Sequence, residues 1–103
     1  MLAFSVFNYA NTITDSETPA MKAVITQLNS DHSMMSVQTD QGFCVVRVLG
    51  DYDLDMGDIL DGGFSAAGEE TVKNISQVED IRVEILETGL TPFTADRMVK
   101  ATN

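Results

Sequence analysis

A chain of 103 residues, 44% of them hydrophobic and 21% charged, fits one globular domain with its own core and excludes wholesale disorder. Sixteen acidic residues against six basic ones leave a net charge of −10, which disfavours general nucleic-acid binding and docking on anionic membranes, because both are approached through Lys and Arg. One cysteine excludes an intramolecular disulfide and suits a reducing, cytoplasmic compartment, and no apolar run approaches the roughly 20 residues of a membrane helix.

Residues 1–20 read as an N-terminal extension. The apolar decapeptide "MLAFSVFNYA" is followed by a polar stretch that carries Thr18-Pro19. Two readings stand for the decapeptide, packing on the domain or adding an edge strand. Residues 22–29, "KAVITQLN", are ambiguous. Met21, Val24, Ile25 and Leu28 share a helical face behind a Thr18-Pro19 start, whereas Val, Ile and Thr in a short run before "NSDHS" favour a strand. The runs 33–39 and 43–50, joined through "DQG", predict a β-hairpin. Residues 58–68 begin strand-like and turn Gly- and Ala-rich, with Gly62-Gly63 marking a bulge or bend. Residues 70–76 form a weaker strand. In 79–87, Ile81, Val83 and Ile85 face one way and Arg82 and Glu84 the other. Thr91 before Pro92 reads as the N-cap and first position of a helix over roughly 92–101, with Leu90 placed to staple onto Ala95 and with Arg97 and Lys100 late enough to suit its dipole. The expectation is a mainly β domain: a five-to-six-stranded antiparallel OB-like barrel over 21–89, then a short C-terminal helix and tail over 90–103.

From Met21 to about Gly89 the order of parts resembles an OB-fold of the cold-shock type. "MKAVITQLN", "HSMMSVQT" and "FCVVRVLG" stand as its first three strands, and Gly57-Asp58-Ile59 matches the small turn that launches the fourth. The chain is also similar to short bacterial OB-like domains that begin "MK" and end in a strand, a Gly and a helix. The resemblance implies a barrel whose second and third strands present aromatics for base stacking. The two cold-shock patterns would fall on residues 32–36 and 44–48, where every aromatic is missing, and Phe43 is out of phase. Each lost stack removes roughly 1–3 kcal/mol, so the binding face has been rewritten. Met34, Met35, Phe43, Val45 and Arg47 are the candidate residues of that face. Met34 and Met35 carry two readings: barrel core, or adaptable contacts to a protein beside Phe43, Val45 and Leu49.

Five aspartates in "DYDLDMGDILD" raise a metal question. Asp51, Asp53 and Asp55 match the first ligand positions of an EF-hand loop, but Met56 stands where its Gly belongs and Gly62 where its bidentate Glu belongs. What remains is weak, incidental binding of a hard cation. Cys44 lies in an apolar run and reads as a small buried hydrophobe; pairing it with His32, the only histidine, as an activated thiol has nothing else behind it. "GGFSAAG" is followed by Glu69-Glu70 and no Lys, which opposes a phosphate loop. No cofactor and no catalysis are expected. The functional expectation is a small binding or adaptor domain, with a protein or a second copy of the chain as partner. The alternative is weak single-strand nucleic-acid binding, favoured if Lys22, Arg47, Lys73 and Arg82 converge on one face beside an exposed Phe43.

Overall fold

Alternating burial, rather than helical spacing, governs the residues after Ala20. In the computed structural model, which describes residues 20–103, Ala23 and Ile25 are buried while Lys22, Val24 and Thr26 are exposed. The segment is strand β1, Met21–Leu28. The expectations for the decapeptide and the polar stretch after it lie outside the described residues. β2 (Met34–Thr39) and β3 (Gly42–Val48) form the expected hairpin, closing on Thr39 opposite Gly42. β4 (Ile59–Gly62), β5 (Gly68–Asn74) and β6 (Glu79–Leu90) follow, and α1 spans Pro92–Lys100.

The strands close into a six-stranded barrel in the order β1-β2-β3-β6-β5-β4, every pair antiparallel and β4 returning to β1. Among the described residues, closure leaves no unpaired sheet edge. Inside it pack Ile25, Met35, Val37, Cys44, Val46, Leu60, Val72, Ile81, Val83 and Ile85, capped by Leu54 and Phe64. The alternation read in β6 therefore holds, with Ile81, Val83 and Ile85 inward.

Two glycines near β4 act for different reasons. Gly57 has φ +92°, a left-handed turn that launches β4 without the steric cost a side chain would bring. Gly62 makes room instead: a Cβ there would lie 2.4 Å from Cγ1 of Val72 on the neighbouring strand. Gly62→Ala is expected to cost about 1–3 kcal/mol through overpacking. Adding Val72→Ala should recover part of that loss. Urea unfolding of both single variants and the double variant measures the coupling.

The helix is built as its sequence reads. Thr91 Oγ1 accepts the amide of Thr94, Pro92 opens the first turn, and Arg97 and Lys100 occupy the last. Its end is tied to the β1–β2 turn. The amide group of buried Asn29 donates to Oγ1 of Thr102 at 2.9 Å, and the backbone of Ser30 donates to Oδ1 of Asn103 at 2.8 Å.

Candidate functional site

Inward and outward residues of β2 and β3 differ by one position, and that phase sorts the predicted face. Met35 points into the barrel and is fully buried in its core, so it takes the core reading. Met34, Phe43, Val45 and Arg47 belong to the outer surface. Register pairs Met34 with Arg47 and Phe43 with Leu90 across neighbouring strands.

That outer surface is not open. Ala95 and Val99 of α1 lie on Val45, and all three are buried; Met34, Phe43, Leu86, Leu90 and Met98 pack around them as a second apolar cluster. Leu86 joins because the β3–β6 register slips between Val45 and Val46: Ile85 pairs with Val46 and Glu87 with Val45, leaving Leu86 as the extra residue. Leu90 and Ala95 meet in the same cluster, as the staple requires. The outer face of β2 and β3 thus carries the chain's own helix. Only Arg47, paired with Glu84 at 3.7 Å, stays exposed at its margin.

Four of the remaining five cations are spread over the surface and paired with carboxylates. Lys22 on β1 lies 3.4 Å from Asp61, Lys73 on β5 4.0 Å from Asp80, Arg82 on β6 3.0 Å from Glu69, and Lys100 on α1 3.2 Å from Asp96. Such exposed pairs add little stability, but each carboxylate cancels a charge a phosphate would need. Arg97 has no carboxylate partner among the described residues. Its guanidinium stands 5.6 Å from the ring centroid of Phe93, which is 69% exposed. Phe93, Thr94, Arg97, Met98 and Ala101 line a surface recess of about 310 Å³ on the solvent side of α1. Sequence reading missed this recess. The signal was a Phe one turn ahead of an Arg on a helix whose other side is apolar.

The aspartate stretch divides. Asp51, Asp53 and Asp55 are exposed, and among the described residues no three carboxylate, imidazole or thiol groups gather to hold a metal ion. Asp58 is buried and bonded: its Oδ2 accepts from Nδ2 of Asn74 at 3.0 Å, Nε2 of Gln77 at 3.1 Å and the amide of Asp55 at 3.1 Å. Burial alone would raise its pKa, but these hydrogen bonds outweigh it and hold the carboxyl below its ordinary range. Gly57-Asp58-Ile59 is therefore a bracing turn between β1, β4 and the β5–β6 connection.

Cys44 sits inside the barrel with its thiol donating to the carbonyl of Phe64 at 3.3 Å, whereas His32 is exposed in the β1–β2 turn. Burial pushes the thiol pKa up, against an opposing hydrogen bond from the Gly89 backbone. The fold does not bring the two residues together. Among the described residues no helix is long and apolar enough to cross a membrane. Set against known proteins, the chain matches no protein-family model, and searches of curated proteins and of solved structures give no match.

Proposed function

We propose that this chain is a non-enzymatic binding or adaptor module of the OB-like kind whose partner is a protein, engaged through the solvent side of α1. The observation that carries the reading is Phe93: a large aromatic, 69% exposed, on the helix that covers the β2–β3 face. Exposed aromatics are enriched at the centres of protein interfaces, and Met98 beside it adds an adaptable apolar contact. The OB-like assignment draws support from the β1-β2-β3 meander, from β1 pairing with β4 as well as β2, and from the Gly57-Asp58-Ile59 turn. A sixth strand departs from the five-stranded pattern of that fold. A cytoplasmic setting goes with the single buried cysteine.

Single-strand nucleic-acid binding has less behind it. Lys22, Arg47, Lys73 and Arg82 each face a carboxylate, and Phe43 is half-buried against the helix cluster. A photo-crosslinking amino acid placed at Phe93 in the full chain, inside living cells, tests the choice. Adducts that are protease-sensitive, nuclease-resistant and absent when the probe sits at exposed Ser65 are the expected result. Nuclease-sensitive adducts, or equal labelling from both positions, would overturn the reading. A fluorescent oligonucleotide should show no binding at low or physiological salt.

A further inference from the structure

Among the described residues, Arg97 is the one cation of six without a carboxylate within 4.0 Å, in a chain where acids outnumber bases 16 to 6. With so many acids available, an uncompensated guanidinium is the exception on this surface. An aromatic ring stands beside it. The exposed Phe93 ring lies one helical turn earlier, 5.6 Å from the guanidinium carbon, within the range of a cation–π contact. A guanidinium donates to a carboxylate through two parallel N–H hydrogen bonds from its fork. Met98, Ala101 and the ring itself line the same recess with apolar atoms.

We infer that the Phe93–Arg97 recess is a docking site for a partner peptide that presents one carboxylate next to an apolar side chain. The inference rests on the protein-partner reading above and names the chemistry of that partner. Charge complementarity selects the occupant. A carboxylate answers the one cation left unpaired among the described residues, while the net charge of −10 repels a peptide with several acids. The fitting segment therefore carries its carboxylate alone, in otherwise neutral or basic surroundings. A second copy of the chain fits less well, because helix-on-helix contact through this face would bring two Arg97 guanidinium groups together and join two strongly acidic molecules. The recess is open and lined along one helix, which suits a segment running across it, so the carboxylate is that of an Asp or Glu side chain.

Selection of a random twelve-residue peptide library against the full chain tests this, in one format with free peptide C-termini and one with the peptides embedded. Enriched peptides should carry a single carboxylate adjacent to Leu, Ile, Phe or Trp. Arg97→Gln and Phe93→Ala should weaken them at least about tenfold, with Arg97→Lys recovering only part, since an ammonium cannot make the bidentate pair. Enrichment of embedded peptides is the expected result; enrichment confined to free C-termini would overturn the side-chain assignment. Both substituted positions are exposed, so far-UV circular dichroism should match the parent chain. Peptides that bind Arg97→Gln and Phe93→Ala unchanged would overturn the inference while leaving a protein partner elsewhere on the surface. No enrichment in either format overturns it too, and nuclease-sensitive adducts at position 93 would then remove the protein-partner reading as well.

Discussion

Asp58→Ala is expected to cost about 3 kcal/mol of stability, roughly 12–24 °C in melting temperature for a domain of this size. The substitution deletes the acceptor of three donors at once. Gln77 is half-exposed and can turn to water, but Asn74 is fully buried and would keep an unsatisfied amide. Leaving such a group unpaired carries most of the loss. Asp58→Asn tests the account from the other side: its carbonyl oxygen can take the place of Oδ2, so only the charge assistance disappears, about 1 kcal/mol. The two variants should also differ from the parent in pH response. The folded Asp58 carboxyl sits below its ordinary value of 3.8, so the unfolded chain takes up the proton first. Its stabilising contribution is complete above about pH 4 and is lost as pH falls through the folded value. The stability gap between parent and Asp58→Asn should therefore be constant near neutrality and shrink in acid. Urea unfolding at neutral pH and at stepwise lower pH checks both points; a gap that widens in acid would refute the assignment.

Much of the barrel is visible in local pattern, because a strand with one face inward must alternate. Ile81, Val83 and Ile85 declare β6, and "DQG" declares the β2–β3 turn. The ambiguity at residues 22–29 has a physical cause. Val24 and Ile25 are both apolar, and only pairing with β2 and β4 sends Ile25 inward and leaves Val24 exposed at 39%. Local sequence holds no record of those partners. The number of strands was open for the same reason: β4 has four residues and gains its identity from β1 and β5.

The site was legible in parts. The sequence grouped Met34, Met35, Phe43, Val45 and Arg47 as one candidate face, with barrel core as the other reading of the two methionines; the fold places Met35 in the barrel and Met34, Phe43 and Val45 in the cluster under α1. What covers them was not legible, since the helix comes from residues about fifty positions later and is steered by Leu86 at a register slip. Met35 shows the limit of reading adjacent methionines together: one position separates core from surface. Asp58 shows another. Its turn is recognisable, but Asn74 and Gln77, which make it a buried acceptor, lie 16 and 19 residues on and carry no motif.

Val99→Asp should detach the helix. Val99 is fully buried in one cluster with Val45 and Ala95, and a carboxylate there would have no partner, so the helix leaves rather than bury the charge. The expected loss is about 3 kcal/mol, with Val99→Ala nearer 1–2 kcal/mol, because the second variant removes methyl groups without adding charge. The damage should remain local. The apolar cluster beneath α1 is separate from the one that fills the barrel, and β1 to β6 close on themselves without the helix. Amide hydrogen exchange should therefore rise across residues 92–101 while β3 and β6 keep their protection. A cooperative loss of protection throughout would show instead that the helix is integral to the barrel. The same variant separates two histories of the covered face. If α1 merely masks a base-stacking surface, uncovering it should release affinity for single-stranded oligonucleotide. Met34 and Val45 offer no ring, however, and Phe43 alone can stack one base at most. Oligonucleotide anisotropy on Val99→Asp is accordingly expected to stay at the parent's level. A gain in binding would mean that the helix regulates a nucleic-acid site and that the protein-partner reading is wrong.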